Sequence, residues 1–178
     1  MKNSIFVSYP SPINETQVAF IEALLSYLDN RGFSPRTLGV TDYDMDAPLK
    51  AMRRLMLESN GVITVALKKT LTMVPIDDEE SVDKGILYEE RWYTSPFCHV
   101  EPAMGFQLGL PILILREKGV VEDGVLDKGV IGSYMPEFDV TKPHGEYFRS
   151  REWVDIIGKF EGYARSVAER KGTPPRLY

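Results

Sequence analysis

Two rhythms divide the chain. Residues 4–9 (SIFVSY), 61–67 (GVITVAL) and 110–117 (LPILILRE) are short, largely apolar runs, as expected of strands covered on both faces. Between and after them, apolar residues recur at helical spacing. Ile21, Leu24, Leu25 and Leu28 follow Asn14, a fair N-cap, and Gly32 supplies the stop. Leu49, Met52, Leu55 and Met56 predict a second helix, capped by Asp46 with Pro48 in its first turn. A C-terminal helix over 150–171 begins near Ser150 and carries Trp153, Ile156, Ile157, Phe160 and Val167 on one side. The run FSPRTLGV (33–40) predicts a weaker strand, because Pro35 interrupts it. Residues 68–94 show no period and carry acidic clusters at 77–80 and at Glu89 and Glu90; they read as a long insertion loop, a lid or an assembly surface. A Gly-rich connection spans 119–132.

Strands alternating with helices predict one α/β domain over 1–178, with about five parallel strands and helices on both faces. Such sheets bind ligands beyond the carboxyl ends of their strands, at the topological switch point. Here that rim holds Ser8, Tyr9, residues 37–40, Lys68, Lys69 and the residues just before Glu101.

Composition narrows the classes. At 178 residues, 43% hydrophobic and 26% charged, the chain suits a globular domain, and no apolar run approaches the roughly 18 residues a membrane helix needs. A net charge of -5 argues against nucleic acid as a partner, and Cys98, alone of its kind, excludes an internal disulfide. With no signal-type N-terminus, the expected compartment is the cytoplasm.

Few residues carry candidate chemistry. No glycine-rich phosphate motif follows a strand. The loop SYPSPIN carries Ser8, Ser11 and free amides aimed at a helix N-terminus, a candidate anion site, though on local features an ordinary capping loop is the better explanation. His99 and His144 are the only histidines, and nothing has metal-ligand spacing, so no metal is expected. Cys98 and His99 are adjacent, so on a helix they point about 100° apart and make a poor nucleophile–base pair. Glu101 precedes Pro102, which fits the first turn of a helix. A helix starting near Val100 or Glu101 puts this carboxyl at the ligand rim, where the helix dipole favours its ionised form. It is a candidate for holding sugar hydroxyls or a developing oxocarbenium ion, though first-turn acids often only complement the dipole.

Over residues 4–117 the chain resembles a TIR domain. The resemblance rests on IFVSY as first strand, a helix ending YLDNRGF, the unit AMRRLMLESNGVITVAL, and the order Trp92, Ser95, Cys98, Glu101. It implies a flavodoxin-like sheet and, as in NAD-consuming TIR proteins such as those of bacterial Thoeris antiphage defence, Glu101 as catalytic residue. Ser8, Tyr9, Ser11, Trp92 and Cys98 would then contact the substrate, with NAD consumed rather than kept as a cofactor. The implied products are nicotinamide with ADP-ribose or a cyclic or conjugated derivative. The implied partners are further copies through TIR–TIR contacts and a separate effector that senses the product. The stretch EPAMGFQLGLP is also similar to nucleoside 2-deoxyribosyltransferases, in which a Glu attacks the anomeric carbon; a nucleoside or nucleotide hydrolase is therefore an alternative. A non-catalytic TIR adaptor acting by self-association is another.

Overall fold

The computed structural model describes residues 3–76, 87–131 and 135–171. The chain runs through β1 (Asn3–Ser8), α1 (Glu15–Asn30), β2 (Phe33–Arg36), α2 (Pro48–Glu58) and β3 (Val62–Ala66). It continues through β4 (Thr70–Ile76), β5 (Leu87–Tyr93), α3 (Phe97–Gln107) and β6 (Ile112–Glu117). A 3-10 turn (Gly124–Leu126), β7 (Glu137–Phe138), α4 (His144–Tyr147) and α5 (Arg151–Arg170) complete it. Five strands form a parallel sheet in the order β2-β1-β3-β6-β7. β1 has β2 on one side and the sheet's remaining strands, β3, β6 and β7, on the other, so the switch point lies between β1 and β3.

Strand side chains alternate between two cores. Ile5, Val7, Ile63, Val65, Leu113 and Leu115 meet Phe20, Leu24 and Leu28 of α1 and Trp153, Ile157 and Phe160 of α5. Phe6 and Val62 face the other way, against Met52, Leu55 and Met56 of α2 and Met104 of α3. By the same alternation Ser8 and Thr64 point toward α3. The Asn14 side chain caps α1 by accepting from Gln17 N, and Ser150 caps α5 by accepting from Trp153 N. Gly32, at φ +88°, ends the turn after α1. Pro35 sits in β2, an edge strand of this sheet, where a missing donor is tolerated.

Four expectations change. Ala47, not Asp46, is the N-cap of α2; Asp46 instead accepts from Arg54 at 3.2 Å, a side-chain partner that competes for the capping oxygen. Most of the described part of 68–94 is not loop: β4 and β5 pair antiparallel from Thr70↔Tyr93 to Ile76↔Leu87. Both faces of this hairpin are largely exposed, so neither imposes the apolar–polar alternation by which a strand is recognised. The cluster at 77–80 lies outside the described residues. The two-residue β7 completes the sheet beyond the 119–132 connection, in a stretch for which no element was predicted.

The fourth change concerns α3. It begins at Phe97, three residues before Val100, because Pro96 already occupies the N-cap and the Ser95 hydroxyl accepts from Phe97 N at 3.3 Å. Pro102 therefore lies inside the helix, and Glu101 sits in its second turn. The buried residues Cys98, Glu101, Pro102 and Gly105 form one stripe at helical spacing, laid against the sheet. Contact is tight at its end: a Cβ on Gly105 would lie 2.8 Å from Val62 Cγ2. Gly105→Val is expected to cost about 1–3 kcal/mol by overpacking, lowering Tm by several degrees in a circular-dichroism melt. Adding Val62→Ala should recover part of that loss.

Candidate active site

Glu101 is only 7% exposed, unusual for a carboxylate. Ser8, at the carboxyl end of β1, donates its hydroxyl proton to Glu101 Oε2 across 93 residues of sequence. Burial pushes the Glu101 carboxyl up to about 7, and the Ser8 hydrogen bond opposes that rise. The sequence had placed Glu101 at the helix start, where the dipole favours ionisation. One turn further in, desolvation outweighs any such help, and the group is poised between its two forms near neutral pH.

Cys98 lies one turn before Glu101 and is buried, its thiol directed at Val65 O 3.8 Å away. Burial holds the thiol up at about 11, with the Glu101 charge adding to the rise and Thr94 and Ser8 opposing it. It remains uncharged at neutral pH and forms part of the wall behind the carboxyl. His99 diverges as expected, with Nε2 3.7 Å from Asp123 Oδ1.

The other expected residues ring the rim. Tyr9 is half-buried, its phenol pushed up by burial and drawn down by Thr37, whose hydroxyl also donates to Val7 O at 3.0 Å. Ser11 is exposed, and its carbonyl accepts from Lys69 Nζ at 3.0 Å. Trp92 belongs to the hairpin, which its carbonyl anchors by accepting from Val121 N at 2.9 Å. The geometry thus joins Ser8, Cys98 and Glu101 directly, while Tyr9, Ser11 and Trp92 belong to the segments around them.

A buried clamp went unrecognised in the sequence. Gln17 is fully buried, donates to Glu117 Oε2 at 2.8 Å and to Lys68 O at 3.0 Å, and accepts from Ile13 N at 2.8 Å. Lys68 N also donates to Glu117 Oε2, at 2.8 Å. These bonds tie the loop after β1 to the carboxyl ends of β3 and β6. The available signal was position: a Gln four residues before Ile21, on the apolar face of α1.

Beyond the end of β2, on the same rim, a recess of about 410 Å³ is lined by Arg36, Leu38, Tyr43, Asp44 and Arg54, among others. Arg36 is paired with Asp42 and Glu58, and Arg54 with Asp44 and Asp46, so acids outnumber bases there. A larger, mostly apolar groove of about 1380 Å³ runs past Leu110, Pro111 and Tyr163. It lies at the amino end of β6, away from Glu101. Among the described residues no helix is long and apolar enough to cross a membrane, and no three His, Cys, Asp or Glu side chains are grouped to hold a metal.

Fold and site define an α/β domain with a buried, hydrogen-bonded carboxyl at its switch point. No protein-family model matches the chain, and no curated protein matches it. In structure it is similar to the CMP N-glycosidase BcmB of Clostridium botulinum, with a TM-score of 0.51 and 15% identity, over 87% of this chain and 99% of that one. It is also similar to the TIR domains of the activated Roq1 resistosome that recognizes the pathogen effector XopQ, with a TM-score of 0.44 and 12% identity, over 97% of this chain and 86% of that one.

Proposed function

We propose that the protein cleaves the N-glycosidic bond of a nucleotide, with Glu101 as the carboxyl that works on the anomeric carbon. The observation that carries this is the Ser8–Glu101 hydrogen bond at the switch point, holding an otherwise costly buried carboxyl where such sheets bind ligands. An ionised Glu101 stabilises the positive charge that develops on the sugar as the bond to the base breaks.

NAD is the first substrate proposed, in keeping with the TIR-like residue pattern. The rim has two parts, the carboxyl under Ser8 and the acidic recess beyond β2, whose carboxylates suit ribose hydroxyls better than phosphate. A dinucleotide would occupy both. Likeness in fold to a CMP N-glycosidase supports a second reading, a pyrimidine nucleotide. Under the NAD reading the product, ADP-ribose or a cyclic or conjugated derivative, would act as a signal for a separate effector in antiphage defence. Self-association of the protein would then complete or activate the site.

Incubation with NAD, CMP and a panel of deoxynucleosides, at concentrations that allow assembly, tests the proposal by mass spectrometry. Release of nicotinamide or free base is expected. Absence of release from every substrate by the assembled protein would overturn it and leave the adaptor role, in which Glu101→Ala is harmless.

A further inference from the structure

Thr64 of β3 is completely buried, and its hydroxyl has no hydrogen-bond partner among the described residues. Leaving such a group orphaned is costly, and its location indicates what could partner it. Thr64 is the register partner of Ser8 across β1 and β3. Directly paired residues project on the same face, so Thr64 stands beside the serine that donates to Glu101, beneath α3. Ser8 spends its one proton on Glu101, so toward other neighbours its oxygen can act only as an acceptor. Neighbouring strands stand about 4.8 Å apart. Two hydrogen bonds of about 2.8 Å, meeting at a water near the tetrahedral angle, span about 4.6 Å. Hydroxyls that keep the spacing of their backbones would therefore accommodate one bridging water.

We propose that Thr64 is a positioning residue that donates through one buried water to Ser8, completing a hydrogen-bonded chain from Thr64 through Ser8 to the Glu101 carboxylate. Each donor in the chain polarises the next, so the chain strengthens the Ser8 bond and favours the ionised carboxyl. Among the described residues, Ser8 of β1 and Cys98 of α3 face Glu101. Other charged groups near α3 are committed elsewhere: Arg116 of β6 to Val120 O, Glu122 and Glu137; Glu117 to Gln17; Arg54 and Glu58 of α2 to Asp44, Asp46 and Arg36; Asp123 to His99. The inference rests on the proposed function only for the effect of the chain on rate.

The test is a carbon-13 NMR titration of the full chain labelled at glutamate carboxyls, with the Glu101 signal assigned by its loss in Glu101→Gln. Thr64→Val should raise the Glu101 midpoint by about half a pH unit and lower Tm, and Thr64→Ser should restore both. An unchanged midpoint in folded Thr64→Val, or a raised Tm, would overturn the proposal, because deleting a truly orphaned hydroxyl should stabilise the fold. The wild type offers a check that needs no variant. Its Thr64 hydroxyl proton should exchange slowly and show a cross-peak to bound water, whereas a hydroxyl contacting only carbon atoms would sink the chain. A shifted midpoint in a protein that cleaves no nucleotide would keep the chain and discard the function.

Discussion

Glu101→Gln is expected to abolish turnover while making the protein more stable at alkaline pH. The activity loss, on the order of 10³-fold, follows from replacing the group that works on the sugar by one that carries no charge. The stability gain follows from linkage. Burial raises the folded carboxyl from an ordinary 4.5 to about 7, so the folded state holds its proton more tightly than the unfolded chain. Stability contributed by that proton is fully present below about 4.5 and is lost as pH rises to about 7. The full difference corresponds to on the order of 3 kcal/mol. Gln resembles the protonated acid in shape and can still accept from Ser8, so its stability does not fall across that window. Melting at pH 8 should show Glu101→Gln higher by roughly 5–10 °C, with the curves converging near pH 4.5. A carboxyl retained only for structure predicts the opposite, a less stable variant at pH 8. The paired result, activity lost and stability gained, marks a residue held in the fold for chemistry.

How much of this site the sequence revealed can be followed through Glu101 itself. The alternation of strands and helices located the carboxyl ends of the strands, and Ser8 and Glu101 both stand there. Their direct contact was beyond sequence reasoning, since it depends on the order β2-β1-β3-β6 and on how deeply α3 settles on the sheet. The electrostatic environment came out with the opposite sign. Pro102 by itself predicts a helix start near Glu101, but Pro96 also lacks an N–H and stands upstream, so it sets the start instead. The better signal was the stripe Cys98, Glu101, Pro102, Gly105, at the spacing of a buried helix face with three small residues and one carboxyl. A lone acid on such a stripe is a buried acid, and burial raises its pKa.

The hairpin and the Gln17 clamp were hidden for different reasons. Strand recognition relies on one face being buried, and β4 and β5 expose both, so no pattern forms. Gln17 lies on the core face of α1, where a polar residue looks like an error until Glu117 and the Lys68 carbonyl arrive from distant strands to satisfy it. Tertiary partners decide both, and local sequence carries neither.

The pH dependence of the rate should discriminate the two substrate readings, because the leaving groups differ in their need for a proton. When the bond from C1′ to nicotinamide breaks, the electron pair returns to a positively charged ring nitrogen, and the base departs neutral. No acid is needed, and the charge growing on the sugar calls for an ionised Glu101. For NAD, kcat/KM should therefore rise with pH through about 7 and then level off. Cytosine leaving a pyrimidine nucleotide takes the pair as an anion unless it is protonated. If Glu101 supplies that proton, kcat/KM should fall above about 7 instead. Ser8→Ala removes the hydrogen bond that favours ionisation, so in either case the midpoint should move up, extending the acid-catalysed range and delaying the onset of the ionised one. Rates measured from pH 5 to 9 on both substrates, for wild type and Ser8→Ala, read the direction directly. A flat profile that the serine substitution leaves unmoved would remove Glu101 from the chemistry.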